Sequence, residues 1–247
     1  MRLVLLHALP FDKRMWDTTQ PLLSDALAPT LYGLGHSLQE WAVAVLDHCE
    51  GEELIVVGSS VGGSCALEIA RASPDQVRGI VLVGAKASVR RDPVAREVIV
   101  RALQDDGIHA AWDWYWAPLF SSTADAETLA AARRLALEQD VDDLIRGVRA
   151  LPDRRDQAEF VSAWAGHLVV VSGARDRTPT PAAAAASVGE GGMSTWLSKT
   201  AATTSPSKDL TCSMRSSRTR SPTCSRRDRK RISIRASRRA LFFGELL

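Results

Sequence analysis

The chain has 247 residues, 45% of them hydrophobic and 24% charged, with a formal net charge of +2. That length can bury a sizeable core in one large domain or a domain with an insertion, and the composition is ordinary for a soluble globular protein. No stretch reaches the ~18 uninterrupted apolar residues of a membrane helix, and the small net charge hides a division: residues 1–189 carry 18 Lys and Arg against 25 Asp and Glu, residues 190–247 carry 13 against 4.

The N-terminal MRLVLLHALPFD holds a short apolar run over residues 2–8 with no small-residue cleavage site behind it. It predicts a buried parallel strand, not a signal peptide. LAPTLYGLGHS (27–37) predicts a second, weaker strand and a glycine-rich turn. SLQEWAVAVLDHCEG (37–51) predicts a helix. Ser37 and Glu40 have capping-box spacing, Leu38, Trp41, Val45, Leu46 and Cys49 share a face, and Gly51 supplies a stop. ELIVVG (53–58) predicts the next buried strand, followed from Gly62 to about residue 72 by a helix of small residues that closes at Ser73-Pro74. GIVLVGA (79–85) and HLVVVSGARD (167–176) predict two more strands. Strands alternating with helices mean βαβ units and a mostly parallel sheet with helices on both faces.

Between the last two strands lie residues with helical periodicity and no strand signal, too many for an ordinary connection. Residues 88–160 therefore read as a helical cap inserted into a core formed by 1–87 and 161–189. Within the cap, AAWDWYWAPLF (110–120) concentrates three tryptophans, a tyrosine and a phenylalanine. Trp112 and Trp116 share a helical face. They are expected to glue the cap to the core, and the same rings can line an apolar substrate pocket beneath it.

The four cysteines, Cys49, Cys65, Cys212 and Cys224, show no CxxC or CxxH pairing. No metal site or disulfide framework is expected, and a reducing cytoplasm is the default compartment.

VVGSSVGG (56–63) places Ser60 between Gly58 and Gly62 at a strand-to-helix junction, the setting of a nucleophile elbow. Side chains on either side of the serine would collide with the neighbouring strand and helix, and the helix that follows aims its first N–H groups at developing negative charge. With this motif in place, the chain resembles the α/β-hydrolase superfamily, through LLHALPFDKRMW, LYGLGHS, VVGSSVGGSCALEIA and VVVSGARDRTPTP in the family's order. The resemblance covers about residues 1–189 and is nearest to small capped members such as enol-lactone hydrolases and simple esterases.

The resemblance implies an α/β-hydrolase fold with Ser60 as nucleophile and Asp176 as the triad acid. The backbone N–H of Val61 would be half of the oxyanion hole, and that of Leu9, in His7-Ala8-Leu9, the other half. Ala8 stands where the family has glycine and is expected to restrict that loop. No cofactor is implied, and the substrate would be a small ester, lactone or related acyl compound. No specific nucleic acid or membrane partner is indicated, and the oligomeric state is open.

The family order is Ser, acid, His. The five histidines here, His7, His36, His48, His109 and His167, all precede Asp176, and none occurs in residues 177–247. Each reads more readily as a structural residue than as a relocated base. Residues 190–247 hold 18 Ser and Thr beside their 13 Lys and Arg, with almost no apolar periodicity. RSSRTRSPTCSRRDRKRISIRASRR (215–239) looks like a phosphate-binding tail, yet the rest of the chain is acidic and offers no recognition module. The other reading is translation out of frame from a GC-rich gene. One permitted coding of MSTWLSKTAATT (193–204), read two nucleotides along, becomes an apolar strand followed by a Gly-His pair. The tail is accordingly expected to be disordered, the last strand and helix of the fold to be absent, and turnover to be impaired. Three functions follow: an impaired serine hydrolase, an inactive remnant of the same fold, or a nucleic-acid binder acting through the tail.

Overall fold

The computed structural model describes residues 1–17, 25–88, 93–121, 124–151, 154–173, 176, 179–186 and 194–198. Its centre is a five-stranded, all-parallel sheet in the order β1 (Arg2–Leu6), β2 (Leu54–Ser59), β3 (Val77–Val83), β4 (His167–Gly173), β5 (Ser194–Ser198). Val4, Leu54, Val56, Ile80, Leu82 and Val170 are buried, as strands covered on both faces require.

Helix α1 (Leu38–His48) starts where the sequence places it. Ser37 Oγ accepts from the Glu40 amide at 3.2 Å, and the Glu40 carboxylate accepts from the His36 amide at 2.6 Å. That is one residue before the reciprocal bond of a standard capping box. α2 (Val61–Ala72) is buried along most of its length, packing on α1 and over β1, β2 and β3.

Residues 27–37 do not form the expected strand. Leu27 makes a single parallel bridge to Val4, and the apolar residues that follow form a 3-10 turn, Leu31–Leu34, with Leu31 and Tyr32 buried. Pro29 has no amide hydrogen to extend the ladder. The bridge lies on the side of β1 away from β2. In the loop after β1, Met15 and Trp16 of the 3-10 turn Lys13–Trp16 are buried.

Between β3 and β4 the described chain is helical: α3 (Pro93–Arg101), α4 (Gly107–Ala111), α5 (Ala126–Leu137), α6 (Val141–Ala150) and α7 (Ala158–Ala163). Two π-helical turns, Ala102–Asp106 and Trp112–Trp116, flank α4. The segment rejoins the core where the Gln157 amide donates to Ala87 O at 3.1 Å. Gln157 Nε2 also donates to the buried Glu68 carboxylate on α2 at 2.6 Å.

α8 (Pro181–Ala186) follows β4. A last strand was not expected in residues 190–247, yet β5 pairs with β4 from Val169↔Ser194 to Gly173↔Ser198. The reason is the edge itself: β4 presents a row of backbone donors and acceptors that templates any short extended segment, and Thr195, Trp196 and Leu197 are strand formers. The rest of the tail lies outside the described residues.

Candidate active site

β2 ends at Ser59 and α2 begins at Val61, so the turn between them is the single residue Ser60. Its backbone sits at φ +49°, ψ −111°, a region that an L-residue occupies only under strain. Hydrogen bonds over-determine it. Its amide donates to Val83 O at 3.0 Å, and its carbonyl accepts from the Gly63 and Ser64 amides at 3.0 and 3.3 Å. A Cβ at Gly58 would lie 2.2 Å from Gly62 O, and one at Gly62 would lie 2.4 Å from Leu6 O. Both positions exclude any side chain. Ser59 is wholly buried and Ser60 is partly exposed, so the bend presents the second serine.

The close approach of Gly62 to Leu6 and His7 brings the loop after β1 against the N-terminus of α2. In that loop the Ala8 carbonyl accepts from His7 Nδ1 at 3.1 Å and from the Phe11 amide at 2.9 Å. Ala8 itself is buried without backbone strain, because Glu50 and Ser60 are the non-glycine residues at positive φ among those described. Among the described residues, neither the Leu9 nor the Val61 N–H donates to another backbone group.

Asp176 lies just past the C-terminal end of β4, at the same end of the parallel sheet as Ser60 after β2. Its Oδ2 accepts from the Gly173 amide at 2.6 Å, and its own amide donates to Gly173 O at 3.1 Å. Burial pushes its carboxyl up to about 6, against the lowering pull of the Gly173 N–H.

Among the described residues no imidazole hydrogen-bonds to Ser60 or Asp176. His7 is buried with both nitrogens occupied. Nε2 accepts from the Leu31 amide at 2.9 Å, so Nδ1 carries the hydrogen and donates to Ala8 O. Burial lowers its pKa to about 4, and the ring stays neutral and closed to proton transfer. His36, His48 and His109 are exposed, and His167 opens β4 at the far end of the sheet.

Trp112 and Trp116 are 1% and 3% exposed, and Trp112 packs on Phe120 with ring centroids 5.6 Å apart. Trp114, between them, is 57% exposed. A groove of about 620 Å³ is lined by residues that include Pro74, Val77, Arg78, Phe160, Trp164 and His167. It lies at the N-terminal ends of β3 and β4, the opposite end of the sheet from Ser60. Among the described residues no group of three or more His, Cys, Asp or Glu could hold a metal ion, and no helix is long and apolar enough to cross a membrane. Cys49 and Cys65 are buried free thiols, and desolvation raises the pKa of both.

Three contacting residues escaped the sequence reading. Gly63 meets Ala85, where a Cβ would lie 2.5 Å from the alanine methyl. Tyr32 donates to Phe11 O at 2.6 Å, and Arg154 donates to Ser64 Oγ at 3.3 Å. Only Gly63 carried a local signal, as the third glycine of the elbow.

The model of the family described as "Alpha/beta hydrolase family" matches residues 3–200. A pimeloyl-[acyl-carrier protein] methyl ester esterase from Aromatoleum aromaticum is 34% identical over 91 residues, 33% of this chain and 36% of that protein. The chain thus spans about a third of that curated relative. Among solved structures, a thermophilic esterase from Thermogutta terrifontis superposes with a TM-score of 0.71 at 18% identity, covering 80% of each chain. The enol-lactonase from Burkholderia xenovorans gives 0.68 at 19% identity over 79% of this chain and 82% of its own. MenH from S. aureus gives 0.69 at 17% identity over 80% and 84%. Identities this low speak to the fold alone.

Proposed function

The chain belongs to the alpha/beta hydrolase family, and from that membership we propose that it is a serine hydrolase acting on a small ester, lactone or related acyl compound through an acyl-enzyme on Ser60. The observation that carries the reading is the strained, partly exposed Ser60, held between glycines that admit no Cβ. Strain of that kind persists only where the surrounding structure enforces it, and it gathers at working sites.

In the proposed reaction Ser60 Oγ bonds to the acyl carbon while the amides of Leu9 and Val61 stabilise the oxyanion. The Ser60 proton passes to water as the bond forms, the adduct collapses, the leaving alkoxide takes a proton from water, and a second water attacks the acyl carbon to release the acid and return a proton to Ser60. Asp176 would orient and stabilise a protonated base. Trp112 and Trp116 would form part of the apolar wall under the cap.

No histidine occurs in residues 177–247 and, among the described residues, no imidazole hydrogen-bonds to Ser60, so in this reading its proton passes to solvent. This favours the second reading, a nearly inactive hydrolase fold whose tail is translated out of frame. The test is p-nitrophenyl acetate hydrolysis by the full chain and by Ser60→Ala. Weak release that disappears in the variant supports an impaired serine hydrolase. Release unchanged in the variant refutes the Ser60 acyl-enzyme, and robust Ser60-dependent turnover would reveal another base. Nucleotide sequencing across codons 182–193 decides the frame.

A further inference from the structure

The cap touches the core at the loop that carries Leu9, and it does so twice. On α6, Gly147 faces Tyr32 and Leu9 so closely that a Cβ there would lie 2.7 Å from Tyr32 Cε1 and 2.8 Å from Leu9 Cδ2. At the link between α5 and α6, Gln139 Nε2 donates to Asp12 Oδ2 at 3.0 Å. Beside it, Arg14 pairs with Asp12 at 2.8 Å and with Glu138.

The loop has a mechanical chain that runs from these contacts to one amide. Tyr32 cannot drift, because its hydroxyl donates to Phe11 O and its ring stands edge-on to His7 at 4.9 Å. The Phe11 amide and His7 Nδ1 both donate to the Ala8 carbonyl. That carbonyl and the Leu9 N–H belong to one planar peptide unit and point in opposite directions. Fixing the Ala8 oxygen fixes the direction of the Leu9 hydrogen, and loading the oxygen with two donors polarises that hydrogen.

We propose that the cap positions the Leu9 amide through Gly147 and Gln139, so that the loop of residues 9–14 takes its working shape only with the cap seated on it. Gly147 and Gln139 are then positioning residues that act through Tyr32 and Asp12. The catalytic consequence rests on the reading of Leu9 as an oxyanion donor, while the mechanical coupling does not. A substrate that draws the cap down would complete its own oxyanion site, and a cap held open would leave Ser60 without it.

The test compares Gly147→Ala, Gln139→Ala and, as a cap control remote from the loop, Arg133→Ala, which breaks the 3.9 Å contact with Asp113. Two readouts are taken on the full chain: the Leu9 amide resonance by NMR, and the Ser60-dependent acylation rate with p-nitrophenyl acetate. The Leu9 resonance should move in the first two variants and stay in the third. Acylation should fall about tenfold in Gly147→Ala and about threefold in Gln139→Ala, with KM within about twofold of the parent. Gln139→Ala removes two part-buried side-chain hydrogen bonds and no core packing, and keeps the test open should Gly147→Ala fail to fold. A Leu9 resonance unmoved in both variants overturns the proposal, as does a change in KM alone. A moved Leu9 resonance in a chain with no Ser60-dependent acylation upholds the coupling and refutes the serine-hydrolase reading instead.

Discussion

The Gly173 amide donates to Asp176 Oδ2 at 2.6 Å, closing a tight turn in which a side chain at Gly173 would strike the carboxylate. That single amide offsets only part of the desolvation, and the carboxyl is left at about 6 against its ordinary 3.8. Between those values the folded state binds a proton that the unfolded state has released. Asp176 therefore lowers stability as pH rises from about 4 to about 6. Asp176→Asn keeps an acceptor for the Gly173 amide and removes the charge. It should melt at the same temperature as the parent below pH 4 and above it beyond pH 6. A variant less stable than the parent at pH 7 would show that a cation pairs with Asp176 in the native state.

His7 runs the other way in an overlapping window. Its folded pKa is about 4 against 6.5, so the unfolded state binds more protons between those values. The stability it contributes is whole above pH 6.5 and is lost as pH falls towards 4, by on the order of 3 kcal/mol. His7→Gln keeps an acceptor for the Leu31 amide and cannot titrate. Its denaturant midpoint should change less than the parent's between pH 7 and pH 4. Parallel curves for the two proteins would mean that His7 is charged, or solvated, in the native fold.

The parts of this molecule legible in the sequence are those governed by local rules. Gly58 answers to a steric contact with Gly62, four residues on, and Ser37 marks the start of α1 through one hydrogen bond. Residues 27–37 misled because burial without periodicity does not distinguish a strand from the 3-10 turn that puts Leu31 and Tyr32 into the core. β5 was invisible because STWLS has little apolar pattern, and its pairing is imposed by the edge of β4. The contact of Gly147 with Tyr32 and Leu9 joins distant parts of the chain, and a lone glycine inside a helical pattern carries no sign of what it touches.

Gly62 offers the sharpest test of the elbow. A methyl there would meet Leu6 O at 2.4 Å and His7 O at 2.7 Å, both backbone atoms that cannot rotate away. Gly62→Ala must therefore separate α2 from β1, at a cost of about 3 kcal/mol or more. Gly33→Ala is the control, since nothing lies within 4 Å of its Cβ position. Equal melting temperatures for the two variants would mean that the elbow is not built as described.

Ser60 itself should be held against the fold's preference. At φ +49° and ψ −111° its Cβ crowds the backbone, and an L-residue in such a region costs about 1–3 kcal/mol. Glycine accepts positive φ without that penalty. Ser60→Gly should therefore raise the melting temperature while abolishing any acylation by activated esters. Part of the gain is returned, because glycine has more freedom to lose on folding, so a net stabilisation of about 1 kcal/mol is expected. Ser60→Ala keeps the Cβ and the strain, and should stay close to the parent in stability. The difference between the two variants isolates the backbone contribution from the loss of the hydroxyl. If Ser60→Gly proves less stable than Ser60→Ala, the bend is relaxed in solution, and the strain cited in support of a nucleophile is absent.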